Sequence, residues 1–152
     1  MRVLFPVSGA ESPAFLAEAV RLIAAGQVTA VLVVHVVDEA RRAGLEHGRE
    51  RFLDHRTLGL HRYAEIEAAE QDAAEQVVDR ACSILARLLP LEPERAVRRG
   101  KTNEVIRELA EEWDADLVVV RGRGGRPGPH SIGKTARFLI DHAPRAALLI
   151  RD

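Results

Sequence analysis

Four short runs of β-branched and other apolar residues, at 3–7, 28–37, 117–120 and 146–150, alternate with segments of helical periodicity along the chain. A fifth run, at 95–98, is brief and heavily charged, which predicts a strand at the edge of a sheet. Strands that alternate with helices usually form a parallel sheet that helices cover on both faces. The sequence therefore predicts one α/β domain over 1–152, built on an open, mainly parallel five-stranded sheet.

Capping residues predict where several of the helices begin and end. Ser12 and Pro13 are a typical N-cap and first helical residue, and Gly26 is the predicted end of that helix. Thr102 is the predicted N-cap of a later helix. Pro144 requires the last helix, which begins near Lys134, to end by residue 142.

The segment 39–61 is polar and rich in arginine, and we interpret it as an insertion after the second strand. A helical pattern follows from about Arg62 to Pro90. His47, His55 and His61 lie in the insertion, but their spacings match no common set of metal ligands. We therefore expect solvated histidines there and no metal site.

The stretch 116–134 joins a buried strand to a helix through a loop rich in glycine. The loop also carries three arginines, Arg121, Arg123 and Arg126. A strand, a glycine-rich loop and a helix start together present backbone N–H groups to an anion. The hypothesis from the residues alone is a phosphate or nucleotide site.

Composition limits the kinds of partner and compartment. The formal net charge is −1, so the surface as a whole gives no electrostatic case for binding nucleic acid. Cys82 is the one cysteine, which is typical of a reducing cytosol. The apolar residues before Pro6 are too few to form a signal peptide, and no apolar run approaches membrane-spanning length. We expect a cytoplasmic protein.

Five segments together resemble the universal stress protein family over essentially the whole chain. They are VLFPVSGAES near the start, VLVVHVVD in the second strand, RRGKTNEVIRELAEEWDADLVVV, the glycine loop that follows it, and HAPRAALLI at the end. The resemblance implies the strand order 3-2-1-4-5 in a Rossmann-like fold, similar to adenine nucleotide α-hydrolases. It also implies a homodimer that pairs through 146–150. The family contains members that bind ATP and members that do not.

The resemblance also implies where ATP, with or without Mg²⁺, or another adenine nucleotide would lie. The implied contacts run from the adenine through the ribose to the phosphates, in the order Val36, Pro6, Val7, Ser8, Arg121, Gly122, Arg123, Gly125, Gly133, Lys134 and Thr135. No residue is assigned a catalytic role.

Three departures separate this chain from the ATP-binding members. Seven residues instead of nine separate Gly125 from Gly133, and Lys134 stands where a hydroxyl residue is expected. Ser8 stands where an acidic residue would hold the ribose hydroxyls. Two interpretations stay open. One is a regulatory protein that binds an adenine nucleotide, and the other is a dimeric interaction module whose glycines only let the loop turn.

The segment 128–135, GPHSIGKT, also satisfies the P-loop pattern. Its context differs, because the strand ends at Val120 and 17 residues after Thr135 leave no room for a later strand with a magnesium-binding aspartate. A nucleotide hydrolase that uses Lys134 is therefore the least favoured interpretation. One short arginine-glycine segment is likewise weak evidence for RNA binding.

Overall fold

The computed structural model describes residues 1–39, 56–123 and 131–151. The elements in chain order are β1 (Arg2–Pro6), α1 (Pro13–Leu22), β2 (Ala30–Asp38), α2 (Arg56–Leu88), β3 (Glu94–Gly100), α3 (Thr102–Glu112), β4 (Leu117–Gly122), α4 (Lys134–His142) and β5 (Ala146–Arg151). A short 3-10 helix, Ala25–Gln27, lies between α1 and β2.

The five strands form one sheet in the order β3-β2-β1-β4-β5, and every neighbouring pair is parallel. The predicted fold class and strand order are both confirmed. β1 lies at the centre, and the brief, charged β3 lies at one edge, as its composition indicated.

Two apolar cores cover the two faces of the sheet. Alternate residues of β1 point to opposite faces, so Val3 and Phe5 join one core and Leu4 joins the other. Helices α1 and α2 cover the first face, and α3 and α4 cover the second. Phe5 is 1% exposed in the first core and Leu4 is 0% exposed in the second, so the central strand is buried on both sides.

Polar contacts fix the amino end of the sheet, opposite the strand ends that carry the candidate site. The Asp116 carboxylate accepts a hydrogen bond from the backbone N–H of Arg2 at 2.8 Å and pairs with Arg145. The hydrogen bond from Arg2 and the pairing with Arg145 hold the pKa of the Asp116 carboxyl below its usual value. Arg2 also lies over the ring of Trp113, 4.2 Å from its centre. These contacts hold the starts of β1, β4 and β5 in register.

Two of the predicted helix boundaries differ by one or a few residues. Ser12 caps α1 as predicted, since its side chain accepts the N–H of Phe15 at 3.0 Å. The left-handed residue after α1 is Ala24, with φ 52°, and not the predicted Gly26. Helix α3 is capped by Lys101, so Thr102 is its first residue and not its N-cap.

Helix α2 begins at Arg56, six residues before the predicted start near Arg62. The end of the predicted insertion is therefore helical, and 40–55 lie outside the described residues, as do the side chains of His47, His55 and His61. Cys82 is a buried free cysteine in α2, and burial raises the pKa of its thiol. No helix in the described ranges is long and apolar enough to cross a membrane.

Candidate functional site

The carboxyl ends of β1 and β4 form the switch point of the sheet, where the chain changes direction of winding. The described pairing of β1 with β4 ends at Leu4 and Val118, although β1 continues to Pro6 and β4 to Gly122. The strands thus separate toward their carboxyl ends. Open parallel sheets bind ligands in a crevice of this kind.

The backbone that follows β1 is anchored to β2. The N–H of Val7 donates to the carbonyl of Val34 at 2.8 Å, and the carbonyl of Val7 lies 2.8 Å from Nδ1 of His35. Because a carbonyl can only accept, Nδ1 of His35 carries the hydrogen. His35 is therefore a half-buried residue of β2 that is hydrogen-bonded to the chain where it leaves β1.

The next residues hold a carboxylate at the mouth of the crevice. The N–H of Ser8 lies 3.0 Å and 2.9 Å from the two carboxylate oxygens of Glu11, and the N–H of Gly9 donates to one of them at 2.9 Å. The hydroxyl of Ser8 also donates to Glu11 at 2.8 Å. Ser8 is exposed and Glu11 is half-buried.

The other wall of the crevice is formed by the end of β4 and the start of α4. The N–H of Arg123 donates to the carbonyl of Ser131 at 3.1 Å, which joins the two ends of the glycine loop. Nε of Arg123 lies 3.6 Å from the position that a Cβ of Gly133 would take. Gly133 is the N-cap of α4, so the Arg123 side chain lies beside the start of this helix.

The start of α4 has the chemistry of an anion site. Gly133 offers no side chain to cap the helix, so the first N–H groups of α4 have no partner within it. Lys134 is exposed, Thr135 is half-buried, and Arg137 lies one turn further along. The positive end of the helix dipole and these cations would all stabilise a phosphate group there.

The remaining candidate residues lie at the carboxyl ends of β1, β2 and β4, in different environments. Pro6 is half-buried, Val7 is buried in the core beneath α1 and α2, and Val36 is 8% exposed in the opposite core. Arg121 is half-buried and Gly122 is buried. Because Val7 and Val36 are buried, Pro6, Val7 and Val36 could contact an adenine only where the core meets the surface.

Gly122 faces β5. A Cβ at this position would lie 3.3 Å from Cδ1 of Leu149 and 3.5 Å from the carbonyl of Ile150. The predicted Gly125 and the first three residues of the P-loop-like segment, 128–130, lie outside the described residues.

Glu11 is the residue that the sequence analysis missed. It lies in a turn between β1 and α1, where acidic residues are common. The available signal was the spacing Ser8-Gly9-Ala10-Glu11, which lets a side chain reach back to backbone N–H groups in a tight turn. Within the described ranges, no group of three His, Cys, Asp or Glu residues could hold a metal ion.

Known proteins resemble this chain in sequence and in fold. A model of the universal stress protein family matches residues 1–151. Universal stress protein G of Shigella flexneri is 30% identical over 99 residues, which cover 62% of this chain and 69% of that protein. The protein of the same name from Salmonella typhimurium is 28% identical over the same coverage.

Solved structures share the fold over nearly the whole chain. Universal stress protein UspA from Lactobacillus plantarum has a TM-score of 0.70 at 22% identity, covering 99% of this chain and 97% of that one. A universal stress protein in complex with cAMP has a TM-score of 0.62 at 16% identity, covering 99% and 96%. An Arabidopsis thaliana family protein with AMP bound has 0.64 at 12%, covering 99% and 91%.

Proposed function

The chain belongs to the universal stress protein family, and on that premise we propose that it is a cytoplasmic regulatory protein that binds ATP or another adenine nucleotide in the crevice between β1 and β4. The observation that carries the proposal is the start of α4, where a glycine N-cap, Lys134 and the side chain of Arg123 come together. Phosphate is the ligand that such a helix end stabilises best.

The adenosine would lie toward β1 and β2, with its phosphates at α4. The chain leaves β1 at Pro6 and Val7, which are apolar, and Val36 extends the apolar wall on β2. The bound AMP and cAMP in two structures of this fold support an adenine ligand. Any Mg²⁺ would arrive on the phosphates of ATP, since Mg²⁺ is usually held by substrate phosphates and one or two carboxylates.

The binding test is native mass spectrometry of the freshly purified protein, followed by calorimetric titration with ATP, AMP and cAMP. Retained nucleotide, or saturable binding of one of the three, supports the proposal. Failure of all three to bind would overturn it. Release of phosphate from ATP with Mg²⁺ would instead favour the hydrolase interpretation.

A dimeric interaction module without a ligand is the second candidate. One observation favours it: the N–H groups of Ser8 and Gly9 are already occupied by Glu11, so the loop after β1 is satisfied without a ligand. The same titration separates the two candidates, since the module predicts no binding at any accessible concentration.

Replacing Lys134 with alanine is expected to weaken ATP binding by about tenfold, which corresponds to the loss of one charge-assisted contact of about 1.5 kcal/mol. Calorimetry on both proteins measures the change. Lys101→Ala is the matched control, because Lys101 is also exposed and stands just before a helix, but it pairs with Glu104 of α3. Equal affinities of the native protein and Lys134→Ala would remove Lys134 from the site.

We also propose a homodimer that pairs through β5. This strand lies at the edge of the sheet, and Ala147, Leu148 and Leu149 are only half-buried. An apolar edge strand is usually paired or covered. Light scattering at micromolar concentration should give twice the 16.7 kDa of one chain. A mass of one chain at every concentration would contradict the dimer.

A further inference from the structure

The edge of the sheet at β3 is open to another strand. In the order β3-β2-β1-β4-β5, β3 has β2 on one side and no described strand on the other. The carbonyl of Val97 accepts a hydrogen bond from the exposed guanidinium of Arg98 at 3.2 Å, which indicates that this carbonyl faces the open side. The N–H and the carbonyl of one strand residue point the same way, so the N–H of Val97 faces the open side as well. A dimer paired through β5 would leave this edge uncovered.

A groove of about 340 Å³ lies between this edge strand and α2. Its lining residues come from one face of α2 and from β3, namely Gln71, Glu75, Val78, Asp79, Arg95, Ala96 and Val97. Val78 is buried and Val97 is half-buried, and both belong to the core beneath α1 and α2, so they give the groove an apolar floor. A strand added to β3 would place every second side chain in this groove.

The groove side of β3 carries an excess of negative charge. Nε of Arg95 lies 3.5 Å from a carboxylate oxygen of Asp79. A guanidinium nitrogen of Arg99 lies 3.6 Å from a carboxylate oxygen of Glu70. Glu75 lies between these two pairs along α2, is exposed, and accepts a hydrogen bond from a neutral side-chain amide of the same helix. Three carboxylates of α2 thus face two arginines of β3, and the groove favours a basic side chain near Glu75.

The opposite face of β3 has the other sign of charge. Neighbouring strand residues point to opposite faces, so Arg98 lies on the face away from the groove, where it is exposed. A second copy of β3 paired antiparallel about Val97 would place Arg95 opposite Arg99, and like charges directly opposite each other are destabilising. The charges therefore fit a segment of another protein better than a second copy of this chain.

We propose that β3 binds an extended segment of a partner protein, which adds a strand to the open edge and places alternate side chains in the groove beside α2. The segment carries apolar residues and one basic residue on the side that faces α2, and an acidic residue on the other side. Main-chain hydrogen bonds hold the added strand, and the groove selects its side chains. The inference does not depend on the nucleotide crevice, which lies at the carboxyl ends of β1 and β4.

The probe is a short peptide of alternating valine and threonine in which one valine is replaced by lysine and the following threonine by glutamate. Its lysine shares a face with the valines, and its glutamate shares a face with the threonines. The native protein should bind this peptide, and hydrogen exchange of the Val97 amide should slow by about tenfold or more at saturation. A peptide with the lysine and the glutamate exchanged should bind about tenfold more weakly, because both charges would then face like charges.

Two N-methylated forms of the probe separate strand addition from binding through side chains alone. One form is methylated on the backbone nitrogens of the valine face, and the other on those of the threonine face. In a strand, these two sets of N–H groups point to opposite edges. One form should keep its affinity, and the other should bind at least about tenfold more weakly, because its donors to β3 are removed. Equal affinities of the two forms would overturn strand addition.

Glu75→Lys tests the position of the basic side chain. It should weaken binding of the probe by about fivefold, since an attractive pair at an exposed site becomes a repulsive one. Asp72→Lys is the matched control, because Asp72 is also exposed on α2 and the charge change is the same, but it does not line the groove. Asp72→Lys should change the affinity by less than about twofold. Equal effects of the two variants would overturn the assignment of Glu75.

The remaining outcomes also decide the proposal. Absence of binding of the probe to the native protein overturns it, and so does binding that leaves exchange of the Val97 amide unchanged. A Val97 amide that is protected in the free protein and loses protection on dilution would show that a second copy covers the edge, which overturns the proposal as well. None of these results bears on the nucleotide titration that tests the proposed function.

Discussion

Replacing Phe5 with alanine is expected to lower the free energy of unfolding by about 3–5 kcal/mol. Phe5 is 1% exposed and lies in β1, the central strand of the sheet. Its ring belongs to the core beneath α1 and α2, which also contains Leu16, Val78 and Leu85. Removing the ring loses the transfer free energy of its atoms and leaves a cavity that strands fixed on both sides cannot close.

Urea unfolding at one fixed protein concentration measures this loss, since a dimer would make the apparent stability depend on concentration. Leu22→Ala is the control. Leu22 lies on α1 above the same face but is 47% exposed, so its truncation should change the free energy by less than about 1 kcal/mol. A loss below about 1 kcal/mol for Phe5→Ala would show that the first core does not depend on its central aromatic residue.

The sheet could be predicted because its signals are local and repeated. Runs such as 28–37 and 117–120 are apolar on both faces, which is the pattern of a strand covered on both sides. Because a helical segment lies between successive strands, the strands are predicted to be parallel. The strand order was predicted from the resemblance to the family, since the residues of one strand do not indicate which other strands it pairs with.

Helix ends were harder to predict because tertiary contacts override local preference. Ala24 adopts φ 52°, a conformation in which Gly26 was expected. Helix α2 continues through Gly59 to Arg56, although a glycine within a helix costs about 1 kcal/mol relative to alanine. Packing of the later part of α2 on the sheet, through residues such as Val78 and Leu85, offsets that local cost.

The site was predicted in part, and the missing part has a physical reason. Gly133 and Lys134 could be found because a glycine and a cation at a helix start indicate an anion site from their positions alone. Glu11 could not, because its role depends on a turn that brings its carboxylate back to Ser8 and Gly9. A sequence gives the spacing of these residues but not the direction of the N–H groups.

Replacing Gly9 with valine is expected to lower the free energy of unfolding by about 2–4 kcal/mol. Gly9 has φ +91°, a conformation that a β-branched residue adopts only with strain. A Cβ there would also lie 3.0 Å from Cγ2 of Val77 in α2, so the Val77 side chain or the loop after β1 would have to shift by a few tenths of an ångström. Strain and overpacking therefore act together at this one position.

Gly26→Val is the matched control, because a Cβ at Gly26 would have no atom within 4 Å. It should change the free energy of unfolding by about 0.5 kcal/mol. Urea unfolding of the native protein and the two variants gives both numbers. If the Gly9→Val and Gly26→Val variants lost the same free energy of unfolding, the turn after β1 would be able to relax around a side chain. The N–H of Gly9 and the carboxylate of Glu11 would then not be held in fixed positions.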